Sequence, residues 1–515
     1  MTATAEIKLT RVFAGLLPLN IGVQAVSFAA WVAFAHVLGT STATDAYVLG
    51  LSVPTLVYGL LLTAIRVGAI PGLTEKAAKG EAEARVANEL MAATLVASAV
   101  LGLLITIVAV AAAPLVLRSD PRLLSDARLI MVELSPLAVL GASAGVLGAI
   151  LAVRKSFAPV VAVMVFDPLF RVCFVLTWGP SIGVQALVLA NLLGSAAAVA
   201  VLWAMVRRAG VPLKLIRPVR SAFVRSVVGL SAPLVIAASV LEVNPIIDRT
   251  MAGGLKAGSV TRLELGMRLL PTGLFSALVL APLTATWAAR KTQGGWPAIQ
   301  ESLRKALTLV ALVVPPIVVI GIILRDQAVT LAYHGGAFSP QAAAQTSSVF
   351  AMFLVGLPAI VLSITFTTLF IVQRETLVPM KIAFANVVLN VGLNFAFRPL
   401  FGVAGIALST SVTFGILVVA QATVARRRWG SFLPPSLLAS LIRIGGSLAI
   451  ATVAALAVRQ FLPSGASRLD ALGVAAAVAG VELLVYAAAL LVTHGRVTRT
   501  PGSFPQFRSR LETRA

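Results

Sequence analysis

Long apolar segments are the feature that most constrains the fold of this chain. Fourteen can be marked, each close to the length of about 20 residues with which an α-helix crosses a bilayer. They lie at about 12–37, 46–70, 90–116, 129–152, 157–178, 181–206, 226–247, 263–289, 305–324, 345–372, 378–398, 402–424, 436–460 and 471–493. Only 12% of the residues are charged, whereas a soluble domain has about a quarter. The sequence therefore predicts an all-α polytopic membrane protein with about 14 transmembrane helices.

The distribution of basic residues predicts how these helices are oriented. The formal net charge is +22, and most of the 41 Lys and Arg residues fall in alternate short connections and in the two termini. This pattern is typical of cytoplasmic loops that face anionic lipid, and it does not indicate nucleic-acid binding. It predicts a multi-pass protein of the bacterial cytoplasmic membrane with both termini in the cytoplasm. The single cysteine, Cys173, excludes an intrachain disulfide.

The first twelve segments look like two copies of one unit. Gly183 opens the sixth segment and Gly402 opens the twelfth, at a spacing of 219 residues, while Pro54 and Pro271 stand 217 apart. Six spans in each copy give both copies the same orientation, as in transporters that bind substrate between two parallel repeats. We predict a six-helix N-lobe over 1–210, a six-helix C-lobe over 211–430, two extra C-terminal helices over 431–494 and a basic cytoplasmic tail over 495–515.

Charged residues within apolar segments are candidate site residues, because each costs at least ~2.5 kcal/mol in lipid at mid-membrane. Asp45 and Arg262 stand nine residues before the two repeated prolines, and Arg66 lies near the end of the second segment. The seventh and eighth segments and their adjoining ends carry Glu242, Asp248, Arg249, Arg262, Glu264 and Arg268. A solvated rim is the alternative for several of these. The predicted substrate-binding residues are Asp45, Arg66, Arg249, Arg262 and Arg268.

Arg268 lies deepest among these residues, within Gly-Met-Arg-Leu-Leu-Pro. An arginine in a wet cavity suits a pyrophosphate, because its planar fork binds two oxygens at once. We therefore assign the anion-binding role to Arg268 first and to Arg66 second. Asp167 and Arg171, four residues apart on the fifth segment, are expected to form a local ion pair. Glu482 is a lone acid without an assigned partner.

The eleventh segment carries a polar stripe in which Asn386, Asn390, Asn394 and Arg398 recur every four residues. Hydrogen bonding between helices explains such asparagines in most membrane proteins. The alternative is a set of oxygen ligands for a small cation such as Na⁺. Its predicted members are Glu242, Asn390, Asn394 and Thr410.

Three stretches of the chain resemble the MviN/MurJ family. They are GTSTATDAY at 39–47, GMRLLPTGLFSALVLAPL at 266–283 and PMKIAFANVVLNVGLNFAF at 379–397. The resemblance covers roughly residues 10–430. It implies a lipid II flippase of the multidrug/oligosaccharidyl-lipid/polysaccharide exporter superfamily, which moves an undecaprenyl-pyrophosphate-linked peptidoglycan precursor to the outer leaflet.

The resemblance also implies roles for individual residues. By position, Asp45 corresponds to the family's loop aspartate and Arg268 to its C-lobe cavity arginine. Asn390, Asn394 and Thr410 fall at the family's cation site, with Glu242 as a fourth member.

The chain departs from the family at three positions. Gln24, Ala30 and Tyr58 stand where the family usually has arginines. Two functions therefore remain open, a lipid II flippase that works by alternating access and an exporter of another polyprenyl-linked saccharide. An enzyme that uses Asp45 as a base is disfavoured, because its short loop lacks a second acid. The expected partners are the lipid-linked substrate and membrane lipids. The chain is expected to be a monomer without a cofactor, with Na⁺ or H⁺ as the coupling ion.

Overall fold

The computed structural model of the chain describes residues 3–78, 83–116, 120–214, 216–217, 221–271, 281–375, 377–462 and 467–495. Its helices are α1 (Ala3–Leu38), α2 (Thr42–Ala78), α3 (Glu83–Val116), α4 (Pro121–Glu133), α5 (Leu137–Val153), α6 (Ala158–Ala162), α7 (Phe166–Ile182), α8 (Gln185–Arg208), α9 (Ala222–Gly253), α10 (Ser259–Arg268), α11 (Ala281–Ile323), α12 (Arg325–Tyr333), α13 (Pro340–Val372), α14 (Leu377–Phe401), α15 (Val403–Trp429), α16 (Pro435–Phe461) and α17 (Arg468–Gly495). A 3₁₀ turn joins α6 to α7, and α11 kinks at Gly295. Apart from an isolated bridge, the described residues contain no β-structure.

The helices follow the predicted apolar segments closely. Within the described residues, 12 spans are long and apolar enough to cross a membrane, and each coincides with one predicted segment. The seventh predicted segment lies inside α9. The eighth starts in α10 and continues through residues 272–280, which lie outside the described part. These two segments stay predictions as membrane spans. The helix α12, in the connection between the ninth and tenth segments, was not predicted.

Backbone conformation supports the predicted repeat of the two halves. Three pairs of residues with positive φ stand 219 positions apart, namely Gly39 (63°) with Gly258 (85°), Lys155 (59°) with Arg374 (64°), and Gly183 (61°) with Gly402 (59°). Left-handed backbone is uncommon, above all in residues other than glycine. The same turn therefore recurs at the same place in each half. The lobe boundaries at 210 and 430 stay predictions, and the basic tail lies outside the described residues.

Glycines allow close helix packing inside each lobe. A Cβ atom at Gly141 of α5 would lie 2.5 Å from the carbonyl oxygen of Tyr58 on α2, and one at Gly145 would lie 2.9 Å from that of Leu62. In the C-lobe, a Cβ atom at Gly356 of α13 would lie 2.7 Å from the Cα atom of Ser411 on α15. Small residues let membrane helices approach to backbone contact in this way.

The two lobes meet at the end of the bundle that positions the candidate site, and the start of α9 also packs against α2 at the opposite end, where Phe223 lies beside Gly72. We call the end that carries the turns at Gly39, Gly258 and Gly335 the latch end. The opposite end carries Lys155 and Arg374, and we call it the basic end. The distribution of Lys and Arg predicts that the latch end faces outside. The helices α16 and α17 pack on each other and against α11 and α12.

Candidate functional site

Asp45 closes the latch end by capping a helix of the other lobe. It lies in the first turn of α2 and is 2% exposed. Its carboxylate accepts hydrogen bonds from the backbone N–H of Gly258 (2.7 Å), the backbone N–H of Thr261 (2.8 Å) and the hydroxyl of Thr261 (2.7 Å). Gly258 is the N-cap of α10 and has no side chain to cap it. The carboxylate therefore satisfies N–H groups at the positive end of the α10 dipole, a role usually filled within one helix. We call this arrangement the Asp45 latch.

A second contact between the lobes lies beside the Asp45 latch. The backbone N–H of Ala337 donates to the carbonyl oxygen of His36 at 2.8 Å, in the turn that follows α12. Gly336 fits against this carbonyl, since a Cβ atom there would lie 2.9 Å from the carbonyl carbon of His36. The unpredicted α12 and its turn therefore hold the end of α1 against the C-lobe.

Arg262 braces the latch end from within the C-lobe. Its guanidinium donates to the carbonyl oxygen of Ala257 and to the side-chain oxygen of Gln345. The residue is 9% exposed. Arg262 does not line the cavity described next, so the structure does not bring it together with Arg249 and Arg268.

A cavity of about 150 Å³ lies between the lobes. Its lining residues are Trp31, Val48, Leu51, Thr55, Asp167, Arg171 and Asn191 from the N-lobe, and Arg249, Glu264 and Arg268 from the C-lobe. We call it the arginine cavity. Three arginines and two carboxylates among these residues give its wall a formal charge of +1, which favours an anionic ligand.

Glu264 organises the C-lobe side of the arginine cavity. Its side chain is 1% exposed and forms ion pairs with Arg249 at 2.8 Å and Arg268 at 2.5 Å. Arg249 also donates to the hydroxyl of Ser52 on α2, at 3.1 Å, which links the lobes again. The Arg268 side chain remains 40% exposed. Because two arginines share one carboxylate, both can accept a further anionic partner.

Trp31 joins the two sides of the arginine cavity. The guanidinium carbon of Arg268 lies 4.8 Å from the centre of the Trp31 ring, and that of Arg171 lies 5.7 Å from it. Both distances fall within the range of cation–π attraction. Arg171 also pairs with Asp167 at 2.9 Å, so the predicted local ion pair is present.

Arg66 lies away from the other predicted substrate-binding residues. It stands eleven residues beyond Thr55 on α2, which places it roughly 16 Å nearer the basic end at 1.5 Å per residue. Its side chain packs near Gly148 of α5. Its role in binding substrate stays a prediction.

The predicted cation ligands meet around Asp248, which the sequence analysis had not assigned. The amide nitrogen of Asn394 donates to Asp248 at 2.7 Å and to the side-chain oxygen of Asn390 at 2.9 Å. The hydroxyl of Thr410 donates to Asp248 at 2.9 Å and accepts from Asn390 at 3.2 Å. We call Asp248, Asn390, Asn394 and Thr410 the oxygen cluster. The Glu242 side chain lies outside the part of the chain whose side chains the structure describes.

The chemistry of the oxygen cluster fits a small hard cation. Its side chains carry carboxylate, amide and hydroxyl oxygens, the ligands that hard cations prefer, and the amide nitrogens of Asn394 and Asn390 face Asp248 and Thr410 in this structure. Asn390 and Asn394 are fully buried. One carboxylate among neutral oxygens suits a monovalent ion better than a divalent one. The described residues hold no group of three or more His, Cys, Asp or Glu side chains of the kind that binds transition metals.

The repeat supplies a signal that would have identified Glu264. Glu264 stands six residues after Gly258, as Asp45 stands six residues after Gly39. In the 219-residue register Asp45 therefore corresponds to Glu264. The match of Asp45 with Arg262, which rested on the prolines 217 apart, is wrong by two residues.

Known proteins resemble this chain in sequence. The family described as Lipid II flippase MurJ matches residues 34–468. A protein of Rhizobium meliloti (strain 1021) named probable lipid II flippase MurJ is 26% identical over 239 residues, which cover 46% of this chain and 44% of that protein. A Helicobacter pylori (strain J99 / ATCC 700824) protein of the same name is 28% identical over 183 residues, which cover 35% and 40%. The matched stretches thus span less than half the length of these curated relatives.

Solved structures share the fold. A structure of lipid II flippase MurJ in an inward closed conformation has a TM-score of 0.76 at 17% identity, and the match covers 95% of this chain and 99% of that one. An inward-facing multidrug resistance transporter of the MATE family has a TM-score of 0.62 at 14% identity, covering 80% and 96%. The family match runs through both lobes and includes the Asp45 latch, the oxygen cluster and every residue that lines the arginine cavity except Trp31. The chain therefore belongs to the lipid II flippase MurJ family.

Proposed function

We propose that this protein moves lipid II, an undecaprenyl-pyrophosphate-linked peptidoglycan precursor, from the inner to the outer leaflet of the bacterial cytoplasmic membrane. The observation that carries the proposal is the arginine cavity between the lobes, where Arg249 and Arg268 share Glu264. Two guanidinium forks around one carboxylate offer donors for the oxygens of a pyrophosphate. Membership of the family supports the choice of cargo. The protein is a transporter and carries out no covalent step.

The mechanism is alternating access between two lobes. With the latch end closed by Asp45, the pyrophosphate enters from the basic end and binds at Arg268, while the polyprenyl tail stays in the bilayer. Rocking of the lobes then breaks the Asp45 latch and exposes the headgroup outside. A membrane potential can bias the cycle, since one charge that crosses 100 mV is worth about 2.3 kcal/mol. Both termini lie in the cytoplasm, and the protein acts as a monomer.

We further propose that Na⁺ binds the oxygen cluster and couples to this cycle. Asp248 on α9, Asn390 and Asn394 on α14 and Thr410 on α15 would hold the ion through side-chain oxygens. These three helices belong to the C-lobe, so a bound cation would fix their relative positions. The amides of Asn390 and Asn394 would turn their oxygens inward when the ion binds. A rise in thermal stability with NaCl, but not with choline chloride, would support this assignment.

An exporter of a different polyprenyl-linked saccharide is the second candidate function. The observation that favours it is the presence of Gln24, Ala30 and Tyr58 where the family usually has arginines. These substitutions leave fewer positive charges in the N-lobe. An O-antigen or exopolysaccharide intermediate also has a lipid pyrophosphate, so the arginine cavity alone does not distinguish it from lipid II.

The deciding experiment is depletion of the protein in its host, followed by measurement of lipid II in each leaflet. We expect lipid II to accumulate in the inner leaflet and the wild-type gene to reverse this. Arg268→Ala should fail to reverse it, although the variant protein is present in the membrane. Arg85→Ala is the matched control, because Arg85 also forms an i,i+4 ion pair, with Glu89, but is exposed at the basic end. Normal lipid II distribution after depletion would refute the proposal and favour another lipid-linked saccharide.

A further inference from the structure

We propose that Arg171 is the N-lobe contact for the substrate's pyrophosphate, which binds between Arg171 and Arg268 beside Trp31 and so joins the two lobes. This inference rests on the proposed function and names a binding residue that the sequence analysis had treated as half of a local ion pair. It also explains how a chain with Gln24, Ala30 and Tyr58 can hold an anion from the N-lobe side.

The position of Arg171 is suited to this contact. Arg171 belongs to α7 of the N-lobe and Arg268 to α10 of the C-lobe, and both line the arginine cavity. Their guanidinium carbons lie 5.7 Å and 4.8 Å from the centre of the same Trp31 ring. The two guanidinium carbons are therefore at most about 10.5 Å apart. An anion with two phosphate groups can contact both arginines across such a gap.

The hydrogen bonds of Arg171 are incompletely satisfied. Its Nε atom is buried and has no hydrogen-bond partner among the described residues. A buried donor without a partner costs about 1–3 kcal/mol, so a partner that arrives with the substrate would recover this energy. The ion pair of Arg171 with Asp167 engages the Nη2 atom and leaves Nε without a partner in the described part of the chain. Asp167 is 34% exposed at its side chain and can turn toward water when the anion binds.

The other polar side chains of the N-lobe wall are already engaged. Asn191 donates to the hydroxyl of Tyr47 and to the carbonyl of Leu187, both at 2.7 Å. The hydroxyl of Thr55 donates to the carbonyl of Leu51 at 2.7 Å. Among the described residues that line the cavity, Arg171 is thus the N-lobe side chain with both positive charge and a donor to spare.

The size of the arginine cavity indicates which part of the substrate it holds. Its volume is about 150 Å³, the size of a protein cavity that holds one benzene molecule. This is enough for a phosphate-sized anion and far too little for a saccharide with an attached peptide. The arginines therefore recognise the pyrophosphate that joins lipid to sugar, and the sugar must lie outside this cavity.

The test is binding of polyprenyl lipids to the full chain in detergent, measured by native mass spectrometry. The probes are undecaprenyl pyrophosphate, undecaprenyl phosphate and the uncharged undecaprenol. We expect Arg171→Gln to weaken undecaprenyl pyrophosphate binding about 10- to 100-fold, because it removes charge-assisted hydrogen bonds. Arg171→Lys should recover part of the loss. Arg85→Gln, which breaks an ion pair of the same spacing outside the cavity, should bind like the wild type.

Asp167→Asn separates anion binding from helix stability. It breaks the same ion pair but keeps the arginine, so it should bind undecaprenyl pyrophosphate at least as tightly as the wild type. A loss equal to that of Arg171→Gln would overturn the inference. The inference would also be overturned if Arg171→Gln bound undecaprenyl pyrophosphate as tightly as the wild type while Arg268→Gln bound it weakly. The proposed function would then still stand. If the wild type binds undecaprenol as tightly as undecaprenyl pyrophosphate, the proposed function itself is wrong.

Discussion

Replacing Asp45 with asparagine should open the latch end. The carboxylate accepts three hydrogen bonds, two from backbone N–H groups and one from the Thr261 hydroxyl. Hydrogen bonds to a charged group contribute about 1.5–3 kcal/mol each. Asparagine keeps one acceptor oxygen but loses the charge and places an NH₂ group against N–H donors. We expect the closed state to lose about 2–4 kcal/mol, which is roughly a 30- to 1,000-fold change in the equilibrium between closed and open states.

Electron–electron distance measurements can detect this opening. In a Cys173→Ser background, spin labels at Ser125→Cys and Gln341→Cys would report the separation of the lobes, because both positions are exposed at the latch end. The spin-labelled protein that retains Asp45 should give one short distance between the two labels. Asp45→Asn should add a population at longer distance.

Two control variants sharpen the prediction. Thr261→Val keeps the side-chain shape and removes the hydroxyl that contacts Asp45 and Thr44, but it leaves both backbone N–H donors to Asp45, so it should weaken the closed state by only about 1–2 kcal/mol. Asp326→Asn changes an exposed aspartate in the same region and should leave the distances unchanged. An Asp45→Asn distance distribution identical to that of the wild type would refute the view that Asp45 holds the lobes together.

Three further predictions follow from particular contacts. Asn394→Asp adds a second carboxylate beside Asp248, so Na⁺ should raise the melting temperature of this variant more than that of the wild type; an equal rise would argue against a cation at this cluster. Gly141→Ala places a Cβ atom against the backbone of Tyr58, and it should lower the free energy of unfolding by about 1–3 kcal/mol in a denaturant titration in detergent; an unchanged value would mean that the two helices separate easily. Glu482→Met should raise the melting temperature by a few degrees, because both carboxylate oxygens are buried without a hydrogen-bond partner among the described residues and such a group costs about 1–3 kcal/mol; a lower melting temperature would indicate that Glu482 has a partner.

The helices and the repeat could be predicted because both leave a signal along the chain. Membrane-spanning helices need about 20 consecutive apolar residues, and a run of that length is easily recognised in a sequence. The repeat preserved residues such as Gly183 and Gly402, whose backbone conformation requires them. The arginines of the cavity were also found, because charged side chains are rare in apolar segments.

The partners of these residues could not be predicted. Asp45 binds backbone N–H groups 213 and 216 residues away, and a backbone N–H leaves no mark in a sequence. The oxygen cluster shows a second limit. Glu242 and Asp248 lie on the same helix six residues apart, which places them on different faces at 3.6 residues per turn. The sequence does not show which face of α9 packs against Asn390, and in the structure it is the face that carries Asp248.

In each of the two left-handed turns at the basic end, one residue has both a positive φ and a positive charge. Lys155 and Arg374 have positive φ, where a glycine would relieve about 1–2 kcal/mol of conformational energy. A glycine would also remove a positive charge from a short connection, and such charges set the direction in which neighbouring helices enter the membrane. Both lobes keep the basic residue and accept the strain. In each half of the chain, a charge that orients the neighbouring helices thus stands at a strained position of the backbone.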